Sequence, residues 1–267
     1  MGTIDILLKA ILALLGAILG AVFSYLYKRV TRLVKENRPL SKLYPFDRKS
    51  KVWIVLSEFE IKKEGEFFDK VSPIDGVYSF DDLADYLRKI GLSRQHFDTC
   101  FSSDLTDRYC EDNLILIGGY ENNKVSKRMN DEHYKKRHFM IRGNKIMERG
   151  GEERIWDIGP EQLDEKGRIK KDFCLVTKMP NPFCADDDQR SWVVAFEGVR
   201  EYGTWGAVRY WNEKIFDRFD EIGLKPKRGQ KFELVVSINV NQDNDNLARR
   251  VEFGSIEAAY LEGEMKK

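Results

Sequence analysis

Apolar residues along the chain fall into two kinds of run. One is long: Ala10–Tyr27, eighteen residues without a charge. As a helix it measures about 27 Å, close to the hydrocarbon thickness of a bilayer. The others are short: Val52–Leu56, Asn113–Ile117, Phe173–Thr177, Trp192–Phe196, Phe232–Asn239 and Val251–Leu261. VWIVL at Val52–Leu56 is continuously apolar rather than alternating, which predicts a strand covered on both faces, as in a parallel sheet.

Helical stripes lie between these runs. Phe80, Leu83, Leu87 and Ile90, with Ala84 alongside, share one face; Ala207, Val208, Trp211, Ile215 and Phe219 share another. Ser79 and Asp82 have capping-box spacing and Gly91 follows the last turn, so the first helix is expected to open at Ser79. Ser57–Val77 reads as a charged loop or lid. His138–Ile141 and Lys145–Glu148 flank Gly143-Asn144, a hairpin turn, and Glu152–Gly159 holds a short strand around Ile155-Trp156. Strands alternating with helices predict a layered α/β domain; the hairpin and the two late strands predict some antiparallel edge.

The expected organisation is a transmembrane helix at 4–28, a basic juxtamembrane segment and linker at 29–50, and an α/β domain at 51–267. Charge follows the apolar run (Lys28, Arg29, Arg32, Lys35, Arg38) rather than preceding it, and the run ends in Phe23, Tyr25 and Tyr27. Both features suit a retained membrane helix better than a cleaved signal peptide. The positive-inside rule then puts the N-terminus outside and the α/β domain in the cytoplasm, with the chain single-pass in the inner (cell) membrane. Small residues recur every fourth position, Gly16, Gly20 and Ser24 on one ridge and Ala13, Ala17 and Ala21 on the next. Such ridges let helices approach closely, which suggests self-association, although Gly and Ala are common in membrane helices anyway.

Charge and cysteine usage narrow the chemistry. With 45 basic and 44 acidic residues the net charge is +1, so no field draws in a DNA or RNA polymer. The basic cluster after the apolar run is local and suits lipid headgroups. Cys100, Cys110, Cys174 and Cys184 form no CxxC pair, and His96, His133 and His138 lack metal spacing; neither a metal nor a cofactor is expected, and reduced thiols fit a cytoplasmic domain.

Two strand–glycine–helix junctions are the strongest chemical signal: Ile117-Gly118-Gly119 up to Asn123, and Phe196-Glu197-Gly198 up to Gly203-Thr204. Glycine admits close backbone approach, a helix N-terminus offers N–H groups to an anion, and ligands of open α/β sheets settle at the C-terminal strand ends. Neither junction is GxGxxG or GxxxxGK[ST], which excludes the dinucleotide fingerprint and the Walker loop. The candidate ligand-binding residues are Ser57, Glu58, Gly118, Gly119, Tyr120, Asn122, Asn123, Asn181, Glu197, Gly198, Arg200, Tyr202, Gly203 and Thr204. Glu60 and Glu121 are placed near the same crevice. Arg200 suits a phosphate or a surface salt bridge; Tyr120 and Tyr202 suit base stacking or helix packing. Glu197 or Glu58 is the candidate nucleophile or base if the domain is an enzyme, but no second catalytic group stands at a known spacing, so no catalytic set is assigned.

NLILIGGYENNKVS (Asn113–Ser126), DFCLVTKMPNPF (Asp172–Phe183) and WVVAFEGVREYGTWGAVRYW (Trp192–Trp211) resemble a prokaryotic Rossmann-like domain found as a ligand sensor in membrane-bound signalling and antiphage defence effectors. Tyr120 stands where such turns often carry proline, and Glu121 adds a charge. The resemblance implies a Rossmann-like α/β fold and a nucleotide-type ligand, a cyclic nucleotide signal among the candidates. Three functions stay open: a membrane-anchored sensor whose ligand drives homo-oligomerisation and membrane disruption, a membrane-tethered nucleotide N-glycosidase or hydrolase, and a tethered protein-interaction scaffold.

Overall fold

A computed structural model of the chain describes Gly20, residues 22–27, 44–46, 51–62, 68–89, 92, 94–106, 112–149, 154–184, 191–213, 215–227, 229–243, 251–262 and 264–266. Among the described residues no helix is long and apolar enough to cross a membrane. Most of the apolar run, Gly16 and the basic juxtamembrane cluster lie outside them. Gly20 and residues 22–27 are helical, with Phe23, Tyr25 and Tyr27 exposed. The chain divides into two units, Met1–Ser41 and Lys42–Lys267.

The centre of the second unit is an eight-stranded sheet. The strands are β1 (Val52–Leu56), β4 (Phe97–Phe101), β5 (Asn113–Ile117), β9 (Lys171–Pro180), β10 (Trp192–Gly198), β11 (Phe232–Val240), β12 (Val251–Leu261) and β13 (Glu264–Lys266). They run in the order β13-β12-β11-β9-β10-β5-β1-β4. The half β4-β1-β5-β10 is parallel; from β10 to β13 every pairing is antiparallel. β2 (Phe59–Lys62) and β3 (Phe68–Val71) form a separate hairpin, and β6 (Phe139–Arg142), β7 (Lys145–Glu148) and β8 (Ile155–Asp157) a small antiparallel sheet.

Period-two alternation sorts each central strand between two cores. Ile54, Ile115, Val194 and Phe196 point to one face, where they meet Leu83 and Leu87 of α1 (Ile74–Lys89) and Trp205, Val208 and Trp211 of α3 (Glu201–Glu213). Val55, Leu114, Leu116, Val193 and Ala195 point to the other and meet Val125 and Met129 of α2 (Lys124–Glu132). Beside α2, the small sheet packs Phe139, Ile141 and Ile146 on Phe173, Leu175 and Val235 of the antiparallel half. A fourth helix, α4 (Ile215–Glu221), follows α3, so the stripe Ala207, Val208, Trp211, Ile215 and Phe219, read as one helical face, is divided between two helices.

Three local expectations are corrected. The first helix opens at Ile74, directly after Pro73, so Ser79 lies buried inside it rather than capping it. The expected loop at Ser57–Val77 holds the β2–β3 hairpin and the first turn of α1. Tyr44 and Phe46, placed by sequence in a polar linker, belong to the core. Tyr44 is 2% exposed, its hydroxyl donating to Asn212 Oδ1 at 3.0 Å. Burial explains why its phenol is pushed well above the ordinary value.

One buried ion pair joins the layers. Glu197 of β10 and Arg137, just before β6, are both wholly buried, with Nη2–Oε2 at 2.5 Å. Arg137 Nη2 also donates to Thr177 Oγ1 of β9 at 2.8 Å and Nη1 to Asn130 Oδ1 of α2 at 2.9 Å. Asn130 Nδ2 donates to Glu197 Oε1 at 2.6 Å, and its Oδ1 accepts from Ile141 N–H at 3.0 Å. Beside the pair, the His138 and Phe139 N–H groups donate to the buried Glu233 carboxylate of β11. Arg137→Met, which strands the Glu197 charge in the interior, is expected to cost about 3–5 kcal/mol, whereas Arg137→Met with Glu197→Leu recovers most of that loss. Urea denaturation of the three proteins checks this; equal costs for single and double variants would show the pair is not coupled.

Candidate functional site

β1, β5 and β10 end side by side because they are parallel and adjacent, and the turns that follow them share a cavity of about 850 Å³. Ser57 and Phe59 come from the segment after β1, Gly118 to Asn122 from the β5 turn, and Gly198 to Glu201 from the β10 turn. The opposite wall comes from elsewhere: Gly143 and Asn144 at the β6–β7 turn, and Ile158, Leu163 and Ile169 from the excursion after β8. Pro73 closes the α1 side. Of the residues singled out from sequence, the cavity gathers Ser57, Gly118, Gly119, Tyr120, Glu121, Asn122, Gly198 and Arg200.

The two glycine turns lie against each other. A Cβ on Gly119 would fall 2.5 Å from the Gly198 carbonyl oxygen. Gly118 has φ +110°, and a Cβ there would meet Ser57 Cβ at 2.6 Å. Gly119 thus admits the Gly198 carbonyl and Gly118 the Ser57 side chain, and the interlocked turns form the cavity floor.

The N-terminus of α2 is likewise committed. Asn123 caps α2: its Oδ1 accepts from Val125 and Ser126 N–H, both at 3.1 Å, while its Nδ2 donates to the carbonyls of Val55 and Ile117. Lys124 N–H donates to Ser102 Oγ at 3.0 Å, and Lys127 N–H to the Asn123 carbonyl at 2.9 Å. The first turn of α2 therefore holds no N–H for an anion. At α3, the buried Asp172 of β9 takes the comparable role. Its Oδ1 accepts from Phe173 and Arg200 N–H at 2.7 and 3.2 Å, and its Oδ2 from Gly203 N–H at 2.6 Å. Thr204 Oγ1 accepts from Gly198 N–H at 3.1 Å. Asn123, Gly203 and Thr204 thus build the turns rather than line the cavity, and Tyr202 packs on the core beneath α3.

The carboxylates move furthest from expectation. Glu197 points away from the cavity into its pair with Arg137. Glu58 is 7% exposed; Ser103 Oγ donates to it at 2.8 Å and Lys124 Nζ stands at 3.4 Å. Neither lines the cavity. Asn181 lies at the opposite end of the sheet, because β9 runs antiparallel to β10 and its last residue, Pro180, pairs with Trp192 at the start of β10. There Asn181 Nδ2 donates to the Asp112 carbonyl.

Arg200 is the one cation among the described lining residues, and two carboxylates, Glu121 and Glu201, line the same cavity. Asn144 sets its carboxamide oxygen toward Arg200, since the opposite orientation would set one donor against another, and accepts from Nη2 at 3.2 Å and Nη1 at 3.3 Å. Tyr120 is held from outside: Lys127 Nζ lies 4.2 Å from its ring centroid and donates to its hydroxyl at 2.6 Å. The hydroxyl donates in turn to Asp131 Oδ1 at 3.0 Å. The hydrogen bond from Lys127 holds the Asp131 carboxyl below its usual range.

Sequence did not single out Asn144, Ile158, Leu163 or Ile169. Gly143-Asn144 was legible as a turn, but its spacing does not say where the hairpin folds. No protein-family model matches the chain, and no curated protein shows significant similarity to it.

Gly118→Ala is expected to destabilise the fold by about 1–3 kcal/mol, because the left-handed backbone and Ser57 both oppose a Cβ; an unchanged melting temperature would show that the turn relaxes freely. Burial pushes the Asp172 carboxyl up from 3.8 to about 7, against the pull of its three N–H donors. Its raised native value means the folded state keeps a proton that the unfolded chain releases between those values. The stability it confers is full below 3.8 and lost as pH rises through about 7. The stability of wild type minus that of Asp172→Asn should therefore grow as pH falls from about 7 towards 4; a flat or opposite trend in denaturation midpoints would refute the assignment.

Proposed function

We propose that residues 51–267 are a ligand-sensing domain that binds a nucleotide-type small molecule at the ends of β1, β5 and β10. We propose further that binding drives association of copies through the apolar N-terminal helix bearing Gly16, Gly20 and Ser24, with the domain held at the cytoplasmic face of the membrane. The observation that carries the proposal is the composition of the cavity. About 850 Å³ is room for a ligand of nucleotide size. Phe59, Ile158, Leu163 and Ile169 supply apolar surface for a ring system, and Arg200 supplies a forked donor for an anionic oxygen. One cation against Glu121 and Glu201 favours a ligand of low charge, such as a nucleoside monophosphate or cyclic nucleotide, over a triphosphate.

Binding without turnover is the simpler reading, because the two carboxylates that would serve a glycosidase are both engaged elsewhere. Binding shifts assembly only as far as the ligand prefers the assembled state. The resemblance to sensor domains of signalling and defence effectors fits this arrangement.

Calorimetry of the full-length chain in detergent, with adenosine, AMP, 3′,5′-cyclic AMP and ATP, tests the proposal alongside light scattering for mass. At least one nucleoside monophosphate, linear or cyclic, should bind more tightly than adenosine or ATP and raise the mass. Arg200→Ala should weaken that binding about tenfold. Absence of binding across the panel would remove the proposal, and binding without a mass change would remove its assembly half.

A further inference from the structure

Granting the cavity as a nucleotide-type site, on which this rests, we propose that the β6–β7 turn carries a built-in competitor for the ligand. The Asn144 carboxamide oxygen occupies the place on Arg200 that the ligand's anionic group takes. Asn144 and Arg200 line the same cavity, and the single Asn144 oxygen bridges both terminal nitrogens of the guanidinium at 3.2 and 3.3 Å. The edge of the guanidinium that a phosphate or carboxylate meets with two oxygens is here covered by one oxygen of a neutral acceptor.

The two sides differ in what anchors them. Arg200 stands on a fixed base, its N–H bound to the buried Asp172 carboxylate. Asn144 sits at the tip of a two-residue turn, closed by the Arg142–Lys145 pair and passing through Gly143 at φ +55°. An amide oxygen is a weaker partner for a guanidinium than an anionic oxygen, so an anion displaces it while an uncharged ligand does not. Asn144 therefore acts as a specificity residue: it sets a threshold that only charged ligands cross. Its displacement frees the β6–β7 tip, giving the protein a local change that distinguishes the occupied site from the empty one.

Two measurements on the full-length chain in detergent separate this proposal from the one beneath it. The first is the rate at which phenylglyoxal modifies Arg200 without ligand, read by peptide mass spectrometry. The second is calorimetric affinity for AMP, with adenosine as the uncharged control. Asn144→Ala is expected to speed modification and to tighten AMP binding, each about threefold. Asn144→Asp, which puts a carboxylate in the same place, is expected to slow modification and to weaken AMP binding, each about fivefold. Adenosine affinity should change in neither variant. Equal modification rates in all three proteins would overturn the proposal whatever binds, as would the two variants shifting AMP affinity in the same direction. Rates that move as expected in proteins that take no AMP would leave Asn144 as the stand-in and discard the nucleotide.

Discussion

A carboxylate buried without solvent must be met by a cation or take up a proton, and Glu197 is met by a cation that lies 60 residues earlier in the chain. Arg137 satisfies it and in doing so sets the position of the neighbouring strand. β6 begins two residues later, so the ion pair fixes where the small sheet lies on the large one and where the β6–β7 turn projects. Asn130 and Thr177 complete the hydrogen bonding, so α2, β9, β10 and the small sheet meet at one point. The cavity wall is thus a downstream product of a charge placed just before Gly198.

Apolar runs were the legible part of the chain. β1, β5 and β12 have the limits their runs suggest, and the hairpin around Gly143-Asn144 is where its turn residues put it. What escaped has a physical cause in each case. β4, FDTCF, sits at the sheet edge and needs no continuous apolar run. α1 opens at Ile74, directly after Pro73, because proline suits a helix start, a signal masked by the capping-box spacing at Ser79. Tyr44 looks like linker because Leu43–Phe46 is a four-residue apolar island between charged stretches, yet its ring packs near Tyr86 and its hydroxyl reaches Asn212, 168 residues away. The antiparallel course of β9 was invisible locally, and with it went the placement of Asn181.

The site was half legible for a related reason. Sequence located the strand ends, since those follow from buried runs ending in glycine. It could not show which polar groups at those ends were already spoken for. Asn123, Asp172 and Thr204 are typical ligand-site residue types, and all three are consumed in holding turns and helix starts. Glu197 is the sharpest instance, because nothing near it in the chain announces Arg137. The residues that line the cavity include more apolar side chains than the sequence suggested, Phe59, Ile158, Leu163 and Ile169 among them.

The interlocked glycine turns carry a consequence for how such a site diversifies. Where Gly119 meets the Gly198 carbonyl, no side chain fits without prising β5 from β10, so the floor presents bare backbone. Substitution has almost no purchase there. Change in the cavity must come from the Asn144 turn, from the excursion carrying Ile158, Leu163 and Ile169, and from Arg200. Kindred chains would accordingly share a constant base and vary in their overhanging rim.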